Sequence, residues 1–359
     1  MDFRDPGHKP FHIIWNGEIS MNSSFGIAAC EQIKGFQELG IPVYTIPNQI
    51  KIKDEPIPEE VIQSINRANA GVPWGGNSVF IHQGFPHYFH NCNVPAKLRT
   101  GLGVNDSDEV MNPSVINSSC DIVWAGSEWT RMAYIKAGVV VRAELFSYGI
   151  NPDVWGFYRR PKHEVFTFLC VSDYTGRKRI DEMLEAFTTE FEDTEKVKIV
   201  YKAWGSSVQE LQKKYAHRKN VEIVWSESKI EDLKRFYYEA DCYVLPTSGD
   251  SIGMPFLEAL ATGLPCITTS KGGQTQWCDE KNSWLLDCVE YKSPYLAGNQ
   301  YMPDFQQLRR IMRFASQNPE GCREKGELGS ILMHGQYKWI DGCKQAKNVI
   351  QDALALTLP

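Results

Sequence analysis

The 359-residue chain has no apolar run approaching the roughly 20 residues needed to cross a bilayer. Its opening, MDFRDPGHKPFHIIWNG, places charges where a signal peptide needs a continuous apolar stretch. A cytosolic protein is the expectation. The ten cysteines (30, 92, 120, 170, 242, 266, 278, 288, 322 and 343) include no C-x-x-C pair. Neither a zinc site nor a small disulfide scaffold is indicated, and reduced, buried thiols are expected. Positive charge is not in surplus either: 38 Lys and Arg stand against 44 Asp and Glu, a net charge of −6, and residues 1–155 hold 11 basic against 16 acidic residues. Nucleic-acid binding and stable docking on anionic membrane normally need a basic patch, so neither partner is expected.

What is present is ordinary globular composition, 42% apolar and 23% charged, in a chain too long for one core. Short apolar runs alternate with longer amphipathic stretches, the signature of βαβ units and a parallel sheet. In the first half FHIIWNG (11–17), VYTIP (43–47), SVFIHQG (78–84), DIVWAGS (121–127) and AELFSYG (143–149) read as strands. IAACEQIKGFQELG (27–40) reads as a helix with Gly40 as its C-cap. The segment 148–166, rich in Pro, Gly and basic residues, breaks the rhythm as a linker does. The pattern restarts with VFTFLCVS (165–172), VKIVYKAWG (197–205), VEIVWS (221–226), CYVLPTS (242–248) and PCITTS (265–270). The reading is therefore α/β, with domains over 1–155 and 156–335. From Pro303 two helical stretches are expected with no strand to follow, and a terminal helix over 336–359 is placed on the first domain.

The most informative stretch is EADCYVLPTSGDSIGMPFLEALATGLPCITT (239–269). A buried strand leads into a Gly-containing loop and then a helix with Pro255 in its first turn, where no amide hydrogen bond is lost. Unpaired N–H groups and aligned peptide dipoles at such a helix start favour an anion, and phosphate is the usual occupant. Glu258 is close enough to accept two hydrogen bonds from a diol such as ribose, and Asp250 lies eight residues earlier. Taken alone, the same residues suit an ordinary turn whose Asp caps the helix and whose Glu complements the dipole.

This stretch resembles the donor-binding signature of family 4 glycosyltransferases: two acidic residues eight apart around a Gly-Leu-Pro loop, then Ala-x-Ala-x-Gly-x-Pro. Gly253, Met254 and Pro255 match the loop, Glu258 matches the second Glu, and Asp250 replaces the first. VSDYTGRKRIDEMLEAF (171–187) is similar to the family's phosphate-binding strand, loop and helix, which puts its pyrophosphate-pairing lysine at Lys178. The companion arginine position falls on Asp173, leaving Arg177 or Arg179 to substitute. In the first half, the resemblance puts the loop SSFGIA (23–28) near the donor phosphate with Gly26 allowing close approach. It puts His82, within FIHQGFPHYFH (80–90), near the reacting sugar.

The resemblance implies the GT-B fold, two Rossmann-like domains facing each other across a cleft with a C-terminal helix crossing back to the first. It also implies retaining transfer from a nucleoside-diphosphate sugar to a glycan, lipid-linked or small-molecule acceptor. Asp250, Lys178 and His82 are the implied catalytic residues. Glu258, Gly253, Met254, Pro255, Ser251, Ile252, Arg177, Arg179, Gly26 and Trp225 are implied to bind the donor, whose base is expected near Trp225 to Ser228.

No cofactor or metal is expected. His82, His87 and His90 do not share a helical face, and Asp106–Asp108 reads as a solvated turn. Charge stabilisation by fixed cations is favoured instead. Of the nearby aromatics Trp74, Phe85, Tyr88 and Phe89, most are expected in the core. A nucleotide-sugar epimerase and a non-catalytic nucleotide-sugar-binding or regulatory protein are the alternatives.

Overall fold

Apolar runs bounded by turn residues become parallel strands, and the amphipathic stretches between them become the covering helices. The computed structural model describes residues 10–51, 56–204, 208–226 and 229–356. The chain divides into two units, residues 1–149 with 339–359, and residues 150–338.

In the first unit the order is β1 (His12–Ser20), α1 (Ser24–Glu38), β2 (Val43–Lys51), α2 (Glu59–Ala70), β3 (Ser78–Gly84), β4 (Leu98–Gly103), α3 (Pro113–Ser119), β5 (Ile122–Ala125), α4 (Glu128–Lys136) and β6 (Arg142–Leu145). The strands form one parallel sheet in the order β2-β1-β3-β4-β5-β6. Ile13, Trp15 and Ile81 lie in one buried cluster, and Ile14, Phe80 and Phe89 in another.

The second unit runs β7 (Phe166–Asp173), α5 (Ile180–Glu190), β8 (Val197–Trp204), α6 (Gln209–Tyr215), β9 (Val221–Trp225), α7 (Ile230–Glu239), β10 (Cys242–Leu245), α8 (Met254–Ala261), β11 (Cys266–Thr269) and β12 (Ser283–Leu286). An antiparallel hairpin of β13 (Cys288–Lys292) and β14 (Asn299–Pro303) follows, then α9 (Phe305–Gln317) and α10 (Pro319–Gln336). Its parallel sheet has the order β12-β11-β10-β7-β8-β9. The last helix, α11 (Trp339–Leu356), belongs to the first unit, where Cys343 packs against Gly35 of α1.

Among the elements the sequence reading did not include, which take in β12 and the β13–β14 hairpin, two share one physical reason, close packing at glycine. Strand β4, LRTGLG, was not expected, because Gly101 and Gly103 dilute its apolar pattern. A methyl group at either would collide with the Phe89 ring or the Tyr134 hydroxyl. The tail holds three helices after Pro303 rather than two. The unexpected α10 contains Gly326 and Gly329, which let it lie against the Gly263 carbonyl and Leu260 at the end of α8.

The linker is fastened by Arg160. Its Nε donates to the Ala240 carbonyl at 2.9 Å, and its terminal nitrogens donate to the carbonyls of Tyr237 at 3.0 Å and Thr262 at 2.8 Å. One buried cation thus serves the carboxyl ends of both α7 and α8, where the peptide dipoles favour positive charge. Burial still pulls its pKa down to about 10.

Candidate active site

Open parallel sheets bind ligands beyond the carboxyl ends of their strands, where the strand order reverses. In the second unit that point lies between β7 and β10. The loop after β7 carries Arg177, Lys178 and Arg179, and the loop after β10 carries Thr247 to Gly253. Lys178 Nζ donates to Asp250 Oδ2, and both residues are only 6% exposed. Arg177 reaches the same carboxylate at 3.5 Å and donates to the Gly249 carbonyl at 3.2 Å. Burial opposes ionisation of Asp250, but Lys178 and Arg177 together outweigh it and hold the carboxyl below its ordinary pKa. Arg179 turns elsewhere, to Ser248, Glu182 and Tyr291. Asp173 ends β7, in register with Trp204.

Helix α8 begins at this loop. Gly253 precedes it with φ at +75°, a conformation that suits glycine, and no side chain caps the first turn. Pro255 occupies that turn, and Met254 is buried. The loop is braced from behind. The Gly273 amide donates to the Asp250 carbonyl at 2.6 Å, and Trp277 Nε1 donates to the Ile252 carbonyl at 2.8 Å. A β-carbon at Gly273 would overlap the Ser251 carbonyl. The turn Gly273–Gln276 was invisible as a support in the sequence.

On the second turn of α8, Glu258 is 8% exposed and burial raises its pKa to about 7. The fully buried Tyr237 hydroxyl donates to Glu258 Oε2 at 2.6 Å, which favours the carboxylate in part. Tyr237 is itself held edge-on to Trp155 and stacked on Tyr243. Sequence reasoning missed it, because a tyrosine at a core position of α7 has the same pattern whether or not its hydroxyl has work to do. Trp225 ends β9 with 49% of its surface exposed. Of the expected base-binding segment, Glu227 and Ser228 lie outside the described residues.

In the first unit, β1 and β3 meet at the reversal point, and His82 lies near the end of β3, 2% exposed. Its Nδ1 is 2.6 Å from Asn16 Oδ1, and the Asn16 amide nitrogen donates to the Ile46 carbonyl. Asn16 Oδ1 can only accept, so Nδ1 carries the proton and Nε2 presents a lone pair. Nε2 is buried with no protein partner. Burial lowers the His82 pKa to about 4, so the ring is neutral near pH 7.

Three expectations for this unit need correction. Gly26 is not in a loop but in the first turn of α1, because Ser23 caps the helix by accepting from the Gly26 amide. Its missing side chain makes room for Ser20, 2.5 Å from where a β-carbon would stand, and its amide is already spent on the cap. The Asp106–Asp108 turn is not solvated: Ser107 and Asp108 are buried, and Asp108 pairs with Lys136. Finally, Trp74, Phe85 and Tyr88 are exposed, and only Phe89 enters the core. Among the described residues, no three His, Cys, Asp or Glu side chains form a group able to hold a metal. None of the described helices is long and apolar enough to cross a membrane. All ten cysteines are free thiols, nine of them buried.

Residues 165–292 match the family model described as glycosyl transferases group 1. A putative glycosyltransferase of a Sulfolobus islandicus filamentous virus is 28% identical over 126 residues, covering 32% of this chain and 36% of that protein. The match thus spans about a third of the curated relative's length. Among solved structures, sucrose-phosphate synthase from Thermosynechococcus elongatus superposes with a TM-score of 0.71 at 14% identity, covering 96% of this chain and all of that one. WaaG, a glycosyltransferase involved in lipopolysaccharide biosynthesis, gives 0.66 at 13% identity, with 94% and 99% covered. Anabaena HepE in complex with UDP and glucose gives 0.63 at 12% identity, with 94% and 98% covered. The chain has the GT-B glycosyltransferase fold, and residues 165–292 of its second unit are similar to the glycosyl transferases group 1.

Proposed function

We propose that the protein is a retaining glycosyltransferase that moves a sugar from a nucleoside-diphosphate sugar to an acceptor hydroxyl, without requiring a divalent metal. The observation that carries this reading is the meeting of Lys178 and Arg177 on Asp250 at the mouth of α8, with Glu258 buried behind them. Two cations on one carboxylate leave a net positive charge, and the uncapped helix start adds partial positive charge. A departing diphosphate gains negative charge in the transition state, and fixed donors aimed at that charge lower the barrier. The UDP and glucose bound in the HepE structure support a nucleotide-sugar donor.

In this reading Glu258 accepts the ribose diol and Asp250 accepts a donor-sugar hydroxyl. The lone pair of His82 Nε2 receives another hydroxyl near the reacting carbon. Asp250 shares its charge with two cations, which makes it a poor nucleophile for double displacement. Substitution on the same face, with the leaving phosphate taking the acceptor proton, fits better. The acceptor, a glycan, a lipid-linked sugar or a small molecule, is assigned to the first unit. The ten free thiols support a cytoplasmic location.

A thermal-shift panel of nucleotide sugars is expected to identify the donor by its raised melting temperature. With that donor and a glycan acceptor, free nucleoside diphosphate and an α- or β-linked product of unchanged anomeric configuration are expected. Glu258→Ala and Lys178→Ala proteins that bound the nucleotide as tightly as the parent would overturn the site assignment.

A further inference from the structure

Ser248 lies two residues before Asp250, is fully buried, and has each of its polar groups taken up by neighbouring segments. Its amide donates to the Arg177 carbonyl at 2.7 Å, and its carbonyl accepts from the Tyr301 amide of β14 at 2.8 Å. Its hydroxyl accepts from Arg179 Nε. The other two nitrogens of that guanidinium go to Glu182, at 3.1 Å, and to the Tyr291 hydroxyl of β13, whose ring lies 5.4 Å from the guanidinium carbon. Tyr291 donates onward to Gln300 Oε1 at 3.0 Å, its direct cross-strand partner in the hairpin. Arg179 adopts φ of +55°, a backbone conformation disfavoured for any residue with a β-carbon, and its three-way side-chain anchoring holds it there.

We infer that the β13–β14 hairpin is a positioning element for the phosphate-binding loop: Tyr291, acting through Arg179, and the Tyr301 amide fix Ser248 and thereby the register in which Asp250 meets Lys178. Arg179 is then a positioning residue. Arg177, which shares Asp250 with Lys178, is the arginine that meets the diphosphate. The hairpin lies outside the parallel sheet, so its contacts with this loop are not a requirement of sheet formation. The inference rests on the reading of the loop as the donor site, and the experiment separates the two.

Hydrogen exchange of the segment 246–257 in the full chain, without ligand, reads the clamp directly. Tyr291→Phe and Arg179→Met are each expected to speed exchange there about tenfold while the rest of the second unit keeps its protection, as loss of one well-placed hydrogen bond would do. Affinity for inorganic pyrophosphate, measured by calorimetry, should fall about three- to tenfold in both. The double variant should be no worse than the weaker single one, because the two side chains act through one contact. Arg179→Lys should behave like Arg179→Met, since a lysine lacks the fork that reaches Ser248 and Tyr291 together. Unchanged exchange in Tyr291→Phe, the milder variant, would overturn the clamp. So would full pyrophosphate affinity in both Tyr291→Phe and Arg179→Lys beside a loss confined to Arg179→Met, the pattern of a direct phosphate contact. Lys178→Ala, titrated alongside, isolates the other reading: if it keeps full pyrophosphate affinity, the donor-site assignment has failed, and the exchange data still decide whether the hairpin holds the loop.

Discussion

Each unit is built on its own parallel six-stranded sheet, and the two treat their buried polar groups in opposite ways. In the second unit Lys178, Asp250, Glu258 and Arg160 all lie inside the protein with partners in place. In the first, Trp15 Nε1, both amide atoms of Gln32, His82 Nε2, Gln83 Oε1, Trp124 Nε1 and the Tyr134 hydroxyl are buried with no protein partner, whereas Gln274 Oε1 is the one such atom among the described residues of the second. Buried polar atoms are rarely left unsatisfied, so each of these is a position where a water or a substrate hydroxyl would gain a hydrogen bond. The second unit carries a preorganised charge site. The first carries polar sockets.

Breaking the satisfied side should cost most. Lys178→Met leaves the buried Asp250 carboxylate with Arg177, at 3.5 Å, and the Ile252 amide, and removing one member of a buried pair typically costs about 3–5 kcal/mol. The second arginine puts the expectation at the lower end, measured as a shift in the urea midpoint. Adding Asp250→Asn should recover most of that loss while leaving nucleotide binding absent. If the single variant unfolds at the parental midpoint, the charge site is not the organised structure that the contrast between the units requires.

Glu258 offers a smaller effect with a definite sign. Its folded pKa of about 7 lies above the ordinary 4.5, so protonation favours the folded state. The stabilisation is complete below about pH 4.5 and is lost as pH rises to about 7, a swing on the order of 3 kcal/mol. Binding of a diol needs the carboxylate, so donor affinity should move the other way, rising about tenfold per pH unit until pH 7 and then levelling. Glu258→Gln should flatten both profiles. Tyr237→Phe, which removes the hydrogen bond favouring the carboxylate, should shift both midpoints to higher pH. Parallel titrations of stability and donor affinity in which the Tyr237→Phe midpoints stay put would show that this hydroxyl does not tune Glu258.

How much of this was legible beforehand follows from what each residue's signal depends on. The strands, the parallel class and the glycine-bearing loop before α8 are written in local apolar pattern and turn chemistry, and these survive without tertiary context. Strand β4 and helix α10 escaped because their glycines serve contacts with Phe89, Tyr134 and α8, partners distant in sequence. Lys178 and Asp250 could each be singled out, but 72 residues separate them, and no local pattern says that one would hold the other. Gly26 went astray for the converse reason: a glycine beside serines suits a ligand loop and a capped helix equally, and the bond from its amide to Ser23 decides for the helix. Tyr237, Ser248 and Tyr291 carry no signal of their own, since a hydroxyl in a core position acquires its role only from what faces it.

The least costly change should be the most telling for the first unit. His82→Phe removes the Nδ1 contact with Asn16 but also the orphaned Nε2, so the two terms oppose each other and stability at pH 7 should change by no more than about 1 kcal/mol. The pH dependence has its own sign. The folded pKa of about 4 lies below the ordinary 6.5, so His82 contributes stability that is present above pH 6.5 and lost as pH falls toward 4, and the variant should lack this acid limb. Sugar transfer, by contrast, should fall at least about a hundredfold if a substrate hydroxyl donates to Nε2, with donor affinity little changed, since that bond forms with the reacting sugar rather than with the nucleotide. Trp15→Phe supplies the control, because it too deletes an orphaned buried polar atom while keeping an aromatic ring in place. The smaller ring leaves a gap in the core that should cost about 1–3 kcal/mol of stability, while transfer should stay near the parental value. A His82→Phe enzyme as active as the Trp15→Phe control would mean that Nε2 is answered by water, and the polar sockets of the first unit would then be structural rather than chemical.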